Sequence, residues 1–355
     1  MNEKYNKKGI EIQFNWLFVM IAGALILIFF YAIITQIIDA SDKTKALEVS
    51  DNIKLIMAGG VVTLGKEANV SVEDVPIEFS CTNGKNNFKI FEENDDTSDT
   101  IIFSPIKIDD TVMSTLTSEI SMPFRVTNIL LVSSKNTKYY FVYDTDPELD
   151  YAKQIRRKMA DSLDIQFVQK DKLTDVNEVF YQQNPTIKMV YFTNVVPVLP
   201  TQLQNRIDDM HISTLKIDST TSLTVSFYDY KDNQFKNQKQ AYLLNDNFLL
   251  AAIYSSNYDN FNCGFRRIIE KLLMVSKVYD ARIDSLKNSY SSCRTIYEGL
   301  AIDTKYQGIF KIDGNMIDAK QSSFTQPKKD ETVSFISDLR RKNTNAQVSS
   351  CPPMY

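Results

Sequence analysis

Two aspartates separated by one residue directly follow an apolar segment of this chain. Residues 139–143 are apolar or aromatic throughout, which predicts a buried strand, and Asp144 and Asp146 come next. Carboxylate oxygens at the carboxyl end of a parallel strand are suitable ligands for Mg²⁺. The same side chains can instead cap the helix that begins near Pro147, where they would interact favourably with backbone amides and with the helix dipole. We favour the capping role.

The apolar segment followed by Asp-Thr-Asp resembles motif I of the haloacid-dehalogenase-like phosphatases. The resemblance implies that Asp144 is the phosphoryl nucleophile and that Asp146 is a general acid and base. It also implies that Thr193, which follows the apolar residues 189–192, supplies the hydroxyl of motif II. Lys216 would then be the motif III cation.

A magnesium site is expected only under this hydrolase hypothesis. The resemblance implies that Asp229 and Asp232 would complete such a site together with Asp144. A nucleotide site is excluded on separate grounds, because no glycine stands between residues 138 and 263. A glycine-rich turn is what allows the backbone to approach a phosphate closely. We therefore expect no Rossmann dinucleotide site, no P-loop and no cofactor other than that conditional Mg²⁺.

Four cysteines and one histidine limit the metal and redox chemistry of the chain. They are Cys81, Cys263, Cys293, Cys351 and His211. No two cysteines form a Cys-x-x-Cys pair, so a zinc site would need an unusual ligand set. No serine or cysteine pattern near the histidine predicts a catalytic triad. If the domain lies outside the cytoplasm, we expect two disulfides, and three pairings are open.

The predicted length of one helix bears on the pairing of these cysteines. Residues 263–288 are expected to form one straight helix, which at ~1.5 Å per residue would hold Cys263 far from Cys293. A disulfide between these two residues would therefore require a break in the helix. The alternative for all four cysteines is a set of reduced, buried thiols.

An uncharged apolar run over residues 16–38 follows a short start that carries three lysines. About 20 such residues cross the hydrocarbon core of a bilayer as one helix. The run is longer than the apolar stretch of a secretory signal peptide, and no Ala-x-Ala site follows it, so we predict an uncleaved signal-anchor. Only Lys43 and Lys45 follow closely, which favours an N-terminus inside the cell and the bulk of the chain outside it.

Residues 7–9, Lys-Lys-Gly, followed by the apolar run, resemble the class III (pilin-like) signal of archaea. The resemblance implies cleavage after Gly9 and use of the apolar helix as an assembly stalk. The anchor together with residues 122–128 also resembles uncharacterised single-pass membrane proteins of small archaeal genomes. That second resemblance implies no activity.

The balance of charge argues against a general affinity for nucleic acid. The 355-residue chain has a net charge of −4 and a pI near 5.3, so it has no global basic field. The basic runs at residues 156–158 and 340–342 are interpreted as solvated helix faces. The aromatic segments at residues 139–143 and 227–230 are interpreted as sheet core rather than as base-stacking platforms.

Alternating strand and helix patterns predict an α/β fold. Residues 61–134 are β-rich, with a hairpin around Asn83-Gly84 and strands at 100–103 and 124–132, which predict a small antiparallel sheet. From residue 138 onward, strands alternate with helices, which predicts a mostly parallel sheet in a Rossmann-like three-layer core. Its strands are expected at residues 139–143, 165–168, 189–192 and 214–217, and its helices at 149–163, 176–181 and 199–207.

Two hairpin-like strands and a helical C-terminal part are expected to follow this core. The strands are predicted at residues 222–228 and 248–254. A long helix is predicted over 263–288, and it continues over 296–302 after a break. A terminal amphipathic helix is predicted at 333–341.

These elements define six predicted regions. They are a cytoplasmic N-terminus (1–13), a transmembrane helix (14–38), a helical stem (39–59), a β-rich region (60–135), an α/β region (136–260) and a helical C-terminal region (261–355) with a mobile linker at 318–330. We interpret the chain as a membrane-anchored extracytoplasmic α/β protein with a binding or structural role in the cell envelope. Its expected partners are the lipid bilayer and a protein or envelope component, and homo-oligomerisation stays open. The alternatives are a membrane-tethered Mg²⁺-dependent hydrolase and a pilin-like assembly subunit.

Overall fold

The computed structural model of the chain describes residues 8–62, 65–72, 76–82, 85–90, 93–96, 100–175, 186–200, 212–219, 223–231, 234–310 and 324–355. The chain forms two compact units, Met1–Val49 and Ser50–Tyr355. The predicted α/β class is confirmed at this level, because a long N-terminal helix is followed by several sheets and by further helices.

The first helix, α1 (Lys8–Val62), contains both the predicted membrane run and the predicted stem. Its 55 residues correspond to roughly 80 Å of helix. Within the described residues it is the one helix long and apolar enough to cross a membrane, with a mean hydropathy of 2.9 in its best window. Apolar side chains of this segment such as Trp16 and Leu27 are about 70% exposed, as expected of a helix whose neighbours are lipid. The helix continues past Gly59-Gly60, where its end was expected.

Among the described residues, two four-stranded sheets follow α1 in the sequence. The strands of one are β1 (Glu67–Ser71), β5 (Ile101–Phe103), β7 (Val112–Ser121) and β8 (Arg125–Ser134), in the order β1-β7-β8-β5. The strands of the other are β2 (Ile77–Thr82), β3 (Lys85–Ile90), β4 (Glu93–Asp96) and β6 (Lys107–Ile108), in the order β4-β3-β2-β6. β5 is parallel to β8, and the other neighbouring pairs are antiparallel. The single antiparallel sheet predicted here is therefore two sheets with one parallel pair.

The predicted hairpin is confirmed by the pairing of Thr82 with Lys85, although residues 83–84 lie outside the described residues. β7 is not among the predicted strands, because its many hydroxyl residues hide the apolar alternation that marks a strand. Ser114, Thr115 and Thr117 are nevertheless buried, and the Thr115 hydroxyl donates to the Ala68 carbonyl at 3.1 Å.

The main sheet has six strands in the part of the chain that the structure describes. They are β9 (Thr137–Tyr143), β10 (Asp164–Gln169), β11 (Thr186–Tyr191), β12 (Ile212–Ser219), β13 (Thr224–Lys231) and β14 (Gln234–Tyr242). The order is β10-β9-β11-β12-β13-β14. The first four strands in this order are parallel, and the pairs β12–β13 and β13–β14 are antiparallel. The predicted mostly parallel sheet is confirmed.

Helices cover one face of the main sheet. They are α2 (Asp146–Arg156), α3 (Asp246–Tyr254) and α4 (Tyr258–Ser289). Tyr139 and Phe141 of β9 belong to the same buried cluster as these helices. The alternate residues Tyr140 and Val142 belong to a second cluster on the opposite face, together with Met189. This alternation buries both faces of β9, as expected of a parallel strand.

The strand predicted at residues 248–254 is wrong, because these residues form α3. The run is buried and apolar without a period of two, and such a run does not distinguish strand from helix. The side chain of Asn245 caps the helix by accepting hydrogen bonds from the amides of Asn247 and Phe248 at 3.0 and 3.3 Å. The polar strand β14 pairs with β13 in its place. The helix predicted at 176–181 lies outside the described residues, as does most of the one predicted at 199–207.

The C-terminal region is helical, as predicted. After α4 come a 3₁₀ turn (Ser291–Cys293), α5 (Arg294–Tyr297), α6 (Ile302–Phe310) and α7 (Gln326–Val348). The continuous helix predicted at 296–302 is wrong, because Gly299 with φ 72° separates α5 from α6. The last helix begins at Gln326 rather than Val333, so the predicted linker does not extend beyond residue 325. Residues 318–323 lie outside the described part of the chain.

Two disulfides join distant parts of the second unit. Cys81 of β2 pairs with Cys263 of α4, with Cα atoms 6.1 Å apart, and Cys293 pairs with Cys351, at 5.9 Å. The expectation that an unbroken helix would keep Cys263 from Cys293 is confirmed. Each cysteine lies at disulfide distance from a partner, which favours two disulfides over the alternative of four reduced thiols. The loops that these bonds close span 182 and 58 residues. On the loop-entropy model each bond stabilises the fold by about 4–5 kcal/mol.

Residues 122–128, which carry one of the sequence resemblances, join a sheet to the C-terminal helices. The centroid of the Phe124 ring lies 4.3 Å from that of Tyr279 and about 6 Å from those of Tyr306 and Tyr355. The Tyr306 hydroxyl donates to the carbonyl of Met122 at 2.5 Å. The buried residues of this segment, Met122, Phe124, Val126 and Asn128, therefore pack in the core.

Candidate functional site

The candidate site lies at the carboxyl ends of the four parallel strands. The register pairs Val142 with Tyr191, and Tyr191 with Lys216, so the residues that follow these positions line one edge of the sheet. After β9 the chain forms β10 on one side of β9, and it then crosses to form β11 on the other side of β9. The gap between β9 and β11 is thus a topological switch point, the place where open α/β sheets commonly bind ligands.

Asp144 and Asp146 occupy different environments at this edge. An Asp144 carboxylate oxygen lies 3.5 Å from the Lys170 ammonium group. Asp146 is exposed in the first turn of α2, where a negative charge interacts favourably with the helix dipole. The direct capping bonds come from Glu148, whose carboxylate accepts from the amides of Asp144 and Thr145 at 2.7 and 3.0 Å.

The predicted helix start near Pro147 is confirmed, but the predicted capping by Asp144 and Asp146 is wrong, because Thr145 is the N-cap residue and Glu148 makes the capping bonds. The sequence contains a signal for capping by Glu148. Thr145 followed three residues later by glutamate is the capping-box pattern, and the proline between them suits the first turn of a helix.

Thr193 and Lys216 lie on the other side of the switch point. Thr193 is buried, and its neighbour Asn194 is exposed. The Lys216 ammonium group lies 2.9 Å from the Asp218 carboxylate and 3.4 Å from the Asn194 side-chain oxygen. Burial lowers the pKa of Lys216, but the hydrogen bond and charge of Asp218 outweigh burial, and the net shift is upward. Lys216 is therefore a fixed cation at neutral pH.

A polar network extends from Lys216 across the antiparallel strands. Asp218 accepts hydrogen bonds from the Ser226 hydroxyl at 2.5 Å and from the Gln240 side-chain amide at 3.4 Å. Gln238 donates to the Ser226 hydroxyl at 2.8 Å. These residues escaped the sequence analysis, because their proximity depends on pairing between strands distant in sequence.

The structure does not gather the carboxylates of the hydrolase hypothesis. Asp229 follows Tyr228, which pairs with Thr214 near the start of β12, whereas Asp144 follows the end of β9. The two aspartates are thus at opposite ends of the sheet, about 16 Å apart along the strand direction. Asp232 and His211 lie outside the described residues. Within those residues no group of three His, Cys, Asp or Glu side chains is arranged to hold a metal ion.

A short loop after β11 forms the rim of the candidate site. The Tyr191 hydroxyl donates to the Val198 carbonyl at 2.6 Å and accepts from the Val198 amide at 3.0 Å. These two bonds fix the loop, while the side chains of Val196 and Val198 are 76% and 60% exposed.

Comparisons of the chain with protein-family models, curated proteins and solved structures give no match.

A buried lysine, Lys188, lies away from this edge. Lys188, in the middle of β11, is 3% exposed and donates to the Ser255 carbonyl at the end of α3 at 2.5 Å. Burial lowers the pKa of Lys188 to about 7. The residue fixes the turn between α3 and α4 and was not identified from the sequence, where it interrupts a strand pattern.

Proposed function

We propose that this chain is a single-pass membrane protein whose α/β domain lies outside the cytoplasm and binds an envelope component or a protein partner without catalysis. The two disulfides are the observation that carries the proposal, because such bonds persist in oxidising compartments and are rare in the cytosol. The long apolar helix supports the anchor, and the excess of lysines before it supports an N-terminus inside the cell.

We further propose that the main sheet is the centre of a Rossmann-like three-layer core. The parallel order β10-β9-β11-β12 supports this arrangement, as do the two buried clusters on opposite faces. Such a core would present its ligand site at the switch point rather than within the sheet.

Binding without catalysis is favoured over the hydrolase hypothesis by the charges at the candidate site. Asp144 faces the ammonium group of Lys170, and Asp229, which the resemblance assigns to the Mg²⁺ site, lies far from Asp144 along the strand direction. A nucleophilic aspartate needs Mg²⁺ and a free carboxylate oxygen in line with the phosphorus.

The location of the domain can be tested through its thiols. Cells that express the full chain are lysed directly into denaturant with a maleimide-polyethylene glycol reagent, with and without prior reduction. We expect no modified cysteine without reductant and four after reduction. The Cys293→Ser/Cys351→Ser variant is the matched control and should show two after reduction. Four reactive thiols without reductant would overturn the extracytoplasmic location.

A further inference from the structure

The donors and acceptors at the candidate site indicate the chemical class of its ligand. Resting on the proposed function, we propose that the carboxyl ends of the parallel strands bind a neutral polyhydroxylated ligand, the chemistry of an uncharged glycan. The site comprises Asp144, Lys170, Asn194, Lys216 and Asp218.

The four charged residues among these five form two ion pairs. Lys170 lies 3.5 Å from Asp144, and Lys216 lies 2.9 Å from Asp218. A ligand with a net charge would meet one attractive and one repulsive group at each pair, so neither an anion nor a cation gains from the site as a whole. A sugar hydroxyl both donates and accepts hydrogen bonds, and it can therefore bridge an ammonium group and a carboxylate.

Several polar groups of the site are held in place before any ligand binds. Asp218 is oriented by Ser226 and Gln240, and the loop that carries Asn194 is fixed by the two bonds between Tyr191 and Val198. Groups that are already ordered lose less conformational entropy on binding.

The rim of the site supplies an apolar surface. Val196 and Val198 are exposed beside Asn194 on the fixed loop. Sugar rings present C–H faces as well as hydroxyls, and small exposed apolar side chains next to charged hydrogen-bonding groups suit such a ligand.

Nucleotides and phosphates fit this edge less well. The amides of Asp144 and Thr145, at the entry to α2, are already bonded to Glu148, so these two amides are not available to an anion. No glycine-rich turn follows β9, and a β-carbon there would keep a phosphate from the backbone.

The test uses the full chain in nanodiscs on a printed array of neutral, uronate-containing and glucosamine-containing oligosaccharides. We expect binding to at least one neutral oligosaccharide. Asp218→Asn, Lys216→Met and Asn194→Ala should each weaken it about ten-fold or more. Lys239 is on β14 of the same sheet, and Lys239→Gln removes its exposed ion pair with Asp259 of α4. This variant is the matched control and should change binding by less than about two-fold.

Three results would overturn the inference: no binding to any oligosaccharide, binding confined to the charged ones, or binding that the three site variants leave unchanged. Asn194 is exposed on a loop, so its variant keeps the test valid if the more buried substitutions prevent folding. The thiol assay distinguishes a failure of the glycan-site inference from a failure of the proposed function. Intact disulfides with a negative array reject the glycan site alone, whereas free thiols reject the extracytoplasmic location.

Discussion

The ring of Phe103 occupies the space that a β-carbon on residue 264 would need. A β-carbon built on Gly264 would lie 2.5 Å from Cε1 of Phe103, far inside van der Waals contact. Phe103 is on β5, next to which α4 passes, and Cys263 beside this glycine carries the disulfide to β2. The close approach of α4 to the sheet therefore depends on a residue without a side chain.

Gly264→Ala should destabilise the fold despite its better helix propensity. The propensity gain is about 1 kcal/mol, whereas displacing a fully buried ring costs about 1–3 kcal/mol or more. We expect a net loss of up to about 2 kcal/mol in the free energy of unfolding, measured by urea titration of the full chain in nanodiscs. Gly308→Ala in α6 is the control, because no atom lies within 4 Å of its new β-carbon, and it should be neutral or stabilising. Equal effects of the two substitutions would contradict the packing argument.

Tyr139 and Tyr140 are adjacent on β9 but differ in their hydroxyl partners. The Tyr139 hydroxyl lies 2.8 Å from that of Ser133, whereas the buried Tyr140 hydroxyl has no hydrogen-bond partner in the described part of the chain. Tyr139→Phe should lower the free energy of unfolding by about 1 kcal/mol, and Tyr140→Phe should leave it unchanged or raise it. The same urea titration measures both. A larger loss for Tyr140→Phe would show that its hydroxyl has a ligand or water partner in solution.

Ser350 has a left-handed backbone at the end of α7, with φ 56°. This conformation reverses the chain so that the Cys351 amide donates to the Ala346 carbonyl at 2.8 Å, and Cys351 then reaches Cys293. Ser350→Gly should raise the free energy of unfolding by about 1 kcal/mol, because glycine adopts this backbone without strain. Ser349→Gly at φ −83° is the control and should not stabilise. Thermal unfolding under oxidising conditions measures the stability of both variants. Equal stability changes in the two variants would refute the proposed backbone strain at Ser350.

Buried Lys188 should make stability depend on pH. Its pKa of about 7 in the folded chain is below the value near 10.5 of an exposed lysine. Between these values the unfolded state binds more protons, so stability should rise from pH 7 to about pH 10, by at most about 1.4 kcal/mol per pH unit from this group. Below pH 7 the contribution of Lys188 should be constant. Lys188→Met should remove this part of the slope, and an identical pH profile in the variant would disprove the assignment.

The pilin-like hypothesis concerns the N-terminus alone. If the class III signal is recognised, the mature chain should begin at Ile10, immediately after Gly9. Intact-mass analysis of protein from an archaeal host with a prepilin peptidase measures this directly. Gly9→Leu should block the cleavage, and an uncut N-terminus in the unsubstituted chain would reject the assembly-subunit alternative.

Some features of the candidate site can be predicted from local sequence patterns, and others cannot. The apolar strand before Asp144 and the acidic first turn of α2 were predictable, because both depend on residues within one turn or one strand. The network of Lys216, Asp218 and Gln240 was not, since it depends on the order and register of β12, β13 and β14. The phosphatase resemblance likewise implied that Asp229 is a magnesium ligand. Because β13 runs antiparallel to β12, Asp229 lies at the far end of the sheet instead.

By itself, the sequence determined the long apolar helix, the alternation that makes the main sheet mostly parallel, and the incompatibility of a Cys263–Cys293 bond with an unbroken α4. Each of these follows from periodicity or length along a continuous segment. Only the tertiary structure decided that residues 248–254 are a helix, which cysteines pair, and which charges meet at the sheet edge. A buried apolar run has no polar alternation to define its secondary structure, and contacts across long loops depend on packing that local sequence does not encode.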